Sequence, residues 1–552
     1  MFKKMSKIQT LLIIPLFAII ISCNTMNREA DIIVHNARIY SVDDDFNIHQ
    51  AMAVKDGLIL AIGSEREILG NYHSKDTIDC QGKAIFPGFY DAHCHFYSYG
   101  LGKIRRADLV GTKSFEEILQ VMEKHHAEHP NSWIEGRGWD HNDWEVKEFP
   151  TRDKLDELFP NTPVILTRID GHAALVNSVA LEKAGITADT RIQGGDIILA
   201  NGKPTGILID NAIDSVTSLV PGPDVQMQLN ALQIAQNDCF AVGLTSIADA
   251  GLDIETIKTI DSLFKEGDLK MRMNIWISPN KNNYDDFISR GTYRTERLHV
   301  NALKLYADGA LGSRGACMIE PYSDDPDNHG LIMYDETYYR DVCEKAIEHG
   351  FQVNTHAIGD SGVRMVLDLY ADYLKGPNDL RWRIEHSQIV HPDDFRRFTA
   401  YSVIPSIQAT HATSDMYWAD ERIGDERLKG AYAYRQLLEA NGWLPNGTDF
   451  PVEHINPIYT FYASVVRKDL EGYPEEGFQM ENALSREEAL RSMTIWAAKG
   501  SFEEIEKGSL EPGKFADFVV LDNDIMSIPE DEIPETTVLM TFLDGEMVFN
   551  KL

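Results

Sequence analysis

The sequence predicts an α/β protein: a TIM-like (β/α)8 barrel, a small β-sandwich built from both chain termini, and a module inserted after the first barrel strand. Three observations predict it. Apolar strand-like runs alternate with helical patterns through the middle of the chain, as in parallel βα units. Short apolar runs separated by turn residues occupy both ends. One buried-strand candidate, Val164–Ile169, is surplus to the eight that a barrel needs and falls in a long interval between Gly100 and Ala241.

The elements follow in order. Residues 1–22 carry Lys3, Lys4 and Lys7, then the apolar run Leu11–Ile21, the layout of a secretory signal and short for a membrane span. Ile20-Ile21-Ser22-Cys23 resembles a bacterial lipobox, which makes Cys23 the expected lipidated amino terminus. Asn24 follows rather than an acid, which argues against inner-membrane retention. The expected location is therefore outside the cytoplasm, lipid-anchored to the envelope at the outer membrane or periplasmic side. No later segment reaches 18 consecutive apolar residues, so the membrane contact expected is the lipid alone.

Residues 23–82 and 501–552 are expected to form the composite sandwich. Asp31–Ile39, Ala51–Val54, Leu58–Ile62, Phe515–Leu521 and Val538–Phe542 read as strands, with Asp56-Gly57 and Asp544-Gly545 as hairpin turns. Residues 83–500 are expected to hold the barrel, and about 101–235 the inserted module. Barrel strands are expected at Ala84–His95, Val242–Asp249, Met271–Ile277, Ala302–Asp308, Gln352–His356, Arg383–His386, Val403–Ile407 and Trp443–Asp449. Ser114 with Glu117 and Ser485 with Glu488 predict capping boxes.

Composition narrows the function. The 552 residues are 43% hydrophobic and 25% charged, enough for a sizeable core. A net charge of −34 repels phosphate backbones and weighs against nucleic-acid partners. Six cysteines without a CxxC pair imply neither a disulfide framework nor a zinc knuckle. The partner expected is a small-molecule substrate, and a homo-oligomer is compatible with the sequence.

The chemistry collects at strand ends. Alternate residues of a strand share a face, so His93 and His95 can both present imidazoles to one cation, while Cys94 points to the opposite face. His356, His386 and Asp449 end three later strands, and Lys304 interrupts an otherwise apolar one. Carboxyl ends of barrel strands are where active sites sit. Taken singly, each residue has an ordinary structural use; together they align with five predicted strands.

The motifs FPGFYDAHCH, KLYADGALGSRGA, VNTHAIGD, RIEHSQ, SIQATHATSDMYW, NGTDFPVE and KGSLEPGKFADFVVLD resemble the amidohydrolase superfamily of metal-dependent hydrolases. The likeness is to its YtcJ-like branch (amidohydrolase family 3), which includes N-substituted formamide deformylase, and runs from about Ala30 to Leu552. It implies metal ligands His93, His95, Lys304, His356, His386 and Asp449. Lys304 would be carboxylated by CO₂, and one or two divalent ions, zinc by default, would be bound. Asp449 would also serve as catalytic base and acid. Substrate contacts are expected from His172, Arg314, His411 and Asp415. The function implied is hydrolysis of an amide, N-acyl or N-formyl C–N bond. Ester, lactone or cyclic-amide hydrolysis by the same site is the alternative, and a ligand-binding lipoprotein without catalysis is a further one.

Overall fold

The computed structural model describes residues 28–129 and 132–551, so the expected signal segment, residues 1–22, and Cys23 lie outside the described residues. Seven parallel strands form a ring: β1 (Phe89–Cys94), β2 (Leu244–Leu252), β3 (Arg272–Ile277), β4 (Leu298–Tyr306), β5 (Gln352–Ala357), β6 (Arg383–His386) and β7 (Ile404–Ser406). Each pairs in parallel with the next.

The eighth position, expected as a strand at Trp443–Asp449, is filled by an irregular segment. Asn446 bridges Ile407 on one side, and the Gly447 N–H donates to the Ile407 carbonyl at 3.0 Å. On the other side the Asp449 N–H donates to the His93 carbonyl, and the His95 N–H to the Phe450 carbonyl, both at 2.8 Å. Asp91 on β1 accepts from the Thr448 N–H and hydroxyl at 3.0 and 2.7 Å. The left-handed φ of Asp449, 61°, breaks a regular ladder here. Gly447 is required by closeness: a Cβ there would stand 2.5 Å from the His93 nitrogen.

Alternation sorts the side chains. On β4, Leu303 and Leu305 join the apolar layer under the helices, while Lys304 faces inward between them. Trp276 packs inside the ring with Ala92, Ala248, Ala250 and Ala302, small residues that leave it room. The outer layer packs against helices that include Val225–Ala241, Ile254–Glu266, Glu336–His349 and Asp360–Leu374.

Val164–Arg168 lies outside the ring, in a six-stranded sheet with Ala107–Asp108, Ile134–Trp139, Ala173–Val176, Lys203–Asp210 and Gly195–Ala200. Its two faces bury separate apolar clusters, one around Trp139 and Leu166, the other around Ile165 and Leu208. Helix Phe96–Arg105 leaves β1 and packs on helix Val225–Ala241, which leads back to β2. A Cβ at Gly100 would meet the Ala231 carbonyl oxygen at 2.1 Å, so only glycine permits this crossing.

The expected run Ala84–His95 divides at Pro87-Gly88. Ala84–Pro87 pairs with Phe518–Leu521 in a second six-stranded sheet, and only Phe89–Cys94 enters the ring. Likewise Asp31–Ile39 becomes two strands, Ile32–His35 and Arg38–Tyr40, in different sheets, with Asn36 at φ 51° turning the chain between them. The two terminal sheets share a core that includes Val34, Met52, Ile59, Ile85, Phe518 and Phe542. Both hairpin turns have positive φ at their two central residues, Asp56-Gly57 and Asp544-Gly545, as tight hairpins demand. Ser485 makes the full capping box; Ser114 caps its helix through the Glu117 N–H, while Glu117 turns to the Lys113 N–H instead.

A buried ion pair ties the ring to the terminal sheets. Arg272, at the start of β3, donates to Asp517 at 2.6 and 3.1 Å and also pairs with Asp544. Its guanidinium is fully buried, so loss of a partner leaves charge without compensation. Asp517→Ala is expected to destabilise the protein by about 3 kcal/mol, read as an earlier urea-unfolding midpoint. An unchanged midpoint would mean that Asp544 alone compensates Arg272.

Candidate metal centre

The site sits at the carboxyl ends of the ring strands. A one-residue bulge between Asp91 and Cys94 precedes it, since these two residues pair with Ile247 and Asp249 of β2. Cys94 turns outward and donates to the Ala248 carbonyl, as expected of a packed thiol. His93 and His95 turn their Nε2 atoms to one oxygen, Asp449 Oδ1, at 3.7 and 3.3 Å. The other oxygen, Oδ2, lies 3.4 Å from His411 Nε2. Lys304 Nζ is 3.3 Å from His93 Nε2.

Burial sets the charge states. It pushes His93 down to about 4 and His356 and His386 well below the ordinary histidine value, so these imidazoles are neutral, the form that ligates cations. It also lowers Lys304 to about 8. For Asp449, burial opposes ionisation, but His93, His411 and His95 hold the carboxyl well below its usual range. Burial also opposes the charge on His411, yet hydrogen bonds to Asp449 and Glu453 raise it to about 10.

The donor set fits a divalent cation. Among the described residues, His93, His95 and Asp449 offer ligand atoms within 4.8 Å of one another, as do His386, His411 and Asp449. His386 Nδ1 and Asp449 Oδ1 are buried without a hydrogen-bond partner. Such donors are costly unless something else completes them. Imidazole with carboxylate suits zinc, manganese or iron.

The remaining expected residues divide. His356 lies beside the cluster, its ring 4.6 Å from that of His386, but its Nε2 meets the Gly309 carbonyl at 3.3 Å. His411, expected as a substrate contact, occupies the second donor group where the resemblance implies His356. His172 reaches the cavity from the inserted sheet, its ring 4.8 Å from His356 and its Nδ1 2.6 Å from Asp210. Asp415 lines the cavity while accepting from Gln388 and Tyr432 at 3.0 and 2.8 Å. Arg314 does not line the cavity; it pairs with Asp324 at 2.7 and 3.2 Å, which removes it from the expected contact.

Several residues at the site carried no sequence signal of their own. Glu385 accepts from His93 Nδ1 at 2.7 Å and pairs with Arg383 at 2.7 Å, all three fully buried. The available clue was alternation, since Arg383 and Glu385 share one face of β6. Asp210 had no clue, because it meets His172 only through the fold of the inserted sheet. The glycines of KLYADGALGSRGA make room for that sheet. A Cβ at Gly309 or Gly315 would come within 2.4 Å of the Asp210 carboxylate, and one at Gly312 within 2.8 Å of Arg168.

The cavity above the cluster measures about 650 Å³ and is lined both by ring strand ends and by the inserted sheet. That size suits a small organic molecule.

A family model described as "Amidohydrolase family" matches residues 76–549. YtcJ of Bacillus subtilis is 30% identical over 529 residues, covering 94% of this chain and 99% of its own length. N-substituted formamide deformylase of Arthrobacter pascens is 28% identical over 556 residues, covering 95% and 99%. The solved structure of a metal-dependent hydrolase from Pyrococcus horikoshii aligns with a TM-score of 0.72 at 27% identity, covering 90% of this chain and 99% of that one.

Glu385 fixes which ring nitrogen of His93 carries the proton, leaving Nε2 free to ligate. Glu385→Gln is expected to weaken metal affinity about tenfold to a hundredfold, measured by competition with a chelator. Unchanged affinity would show that packing against Trp276 suffices to orient the ring.

Proposed function

The chain belongs to the amidohydrolase family, and from that premise we propose that it is a metal-dependent hydrolase of a small molecule's amide, N-acyl or N-formyl C–N bond. The observation that carries this reading is Asp449: one buried carboxylate turned to His93 and His95 by one oxygen and to His411 by the other. A divalent ion held there supplies Lewis acidity toward the carbonyl and makes water a usable nucleophile near neutral pH. Zinc, as one or two ions, is the proposed metal, held by His93, His95 and Asp449 and, at a second position, by His356 and His386.

Asp449 is the proposed general base and then general acid, accepting a proton from the attacking water and handing it to the leaving amine. The neighbouring histidines keep it ionised, the form a general base needs. Lys304 is the proposed sixth ligand residue. As an ammonium beside His93 it would oppose a cation; burial enlarges its neutral fraction. The neutral amine can add to CO₂, release one proton and become an anionic carbamate. The relative named for formamide deformylation supports an N-acyl or N-formyl substrate.

Export with lipid on Cys23 is proposed on the strength of the lipobox-like run. Cys23→Ala should release the protein from the membrane fraction; retention unchanged from wild type would remove the anchor from the account.

Lys304→Ala should lose bound metal and most turnover of an N-acyl or N-formyl substrate, with acetate or propionate restoring part of both. Metal content can be read by elemental analysis independently of turnover. Full metal occupancy and normal turnover in Lys304→Ala would overturn the carbamate and leave Lys304 as a buried cation.

A further inference from the structure

We infer that Arg137 is the anchor for a carboxylate carried by the substrate, so that the molecules preferred are N-acyl or N-formyl amino acids rather than neutral amides; this rests on the C–N hydrolase reading above. Three arginines line the cavity: Arg106, Arg137 and Arg168. Arg168 is clamped between Asp140 and Asp170, and Arg106 shares Glu135 with Arg105. Arg137 pairs with no carboxylate among the described residues. Its one hydrogen bond within the protein there runs from Nη2 to the Ile169 carbonyl at 3.0 Å, and its Nε is buried without a partner. A guanidinium carries five N–H donors in a planar fork, so an arginine wall left four donors short points to a planar anion.

Its placement suits that anion. Arg137 lies within a strand of the inserted sheet, Ile134–Trp139, and lines the same cavity as the metal cluster. The acids near it are engaged elsewhere: Asp170 by Arg168 at 2.6 Å, and Asp449 by the histidines. Burial, then the nearby Arg106, lower it to about 10, which leaves it cationic at neutral pH. In an N-acyl amino acid the carboxylate sits two bonds from the amide nitrogen, so the anion and the scissile bond would occupy the one cavity that Arg137 and the cluster both line. Val110, Ile169, Leu311 and Ile455 offer apolar wall for its side chain.

The test uses a matched, non-hydrolysable pair, N-methylsulfonyl-leucine and its carboxamide, titrated calorimetrically into the metal-loaded protein. Wild type should bind the carboxylate about tenfold to a hundredfold more tightly than the carboxamide. Arg137→Gln should lose that preference and Arg137→Lys should keep part of it, while both retain wild-type metal content. Equal binding of the pair by wild type, binding of neither, or a preference that survives in Arg137→Gln would overturn the assignment. The hydrolase reading is tested separately by turnover of N-acetylleucine and of N-isopentylacetamide, the same amide without the carboxylate. Turnover of both at equal kcat/KM would refute the anchor and spare the hydrolase, whereas carboxylate-selective binding without turnover of either would do the reverse.

Discussion

A single backbone hydrogen bond, from the Asp449 N–H to the His93 carbonyl, is the constraint on which the site depends. It closes the ring on its first strand, and by doing so sets the last donor against the first two. The surrounding contacts serve that juncture. Asp91 grips Thr448, Gly447 yields the space beside His93, and the left-handed backbone of Asp449 swings its carboxylate inward. An eighth regular strand would have paired more evenly. The irregular segment gives up ladder hydrogen bonds and gains an aimed side chain, the kind of local departure from regularity found at functional sites.

Burial does the rest of the chemistry. Lys304, Glu385, Arg383 and Asp449 are all shielded from water, a grouping that is tolerable only because opposite charges alternate through it. Arg383 holds Glu385, Glu385 holds His93, and His93 faces both Lys304 and Asp449. The chain of contacts starts from Arg383, outside the candidate ligand set, and ends at His93, so the orientation of that ring is determined several side chains away from the candidate cation site.

The residues that converge in the candidate site are largely legible in the sequence because strand ends are punctuated. HxH after Pro-Gly, single histidines ending apolar runs, and a lone lysine within one are local patterns that survive without coordinates. Arg383 and Glu385 were visible only as residues of a buried strand, because their role depends on what lies across the ring. The division of Ala84–His95 was hidden for another reason: an apolar run does not say which sheet it enters, and Pro87-Gly88 marks a change of sheet only once the partner Phe518–Leu521 is known. Arg314 read as a candidate anchor because a loop arginine near a site invites that role, whereas Asp324, ten residues on, already takes its fork. Arg137 carries no signal in the sequence, since what sets it apart is the lack of a carboxylate partner among the described residues.

The pairing of Ala84–Pro87 with Phe518–Leu521 also bears on how the chain comes into being. During synthesis the amino-terminal strands appear first, yet the strand that must lie beside Ala84–Pro87 is made more than four hundred residues later. Entropy of loop closure grows only slowly with such distance, but contacts this remote delay completion of the fold. Until the final segment leaves the ribosome, Ala84–Pro87 has only Arg38–Tyr40 beside it, and its other edge lacks the strand that completes the sheet. Loss of even the last few dozen residues would therefore leave Ala84–Pro87 at the open edge of a sheet that is otherwise completed only by the chain's far end.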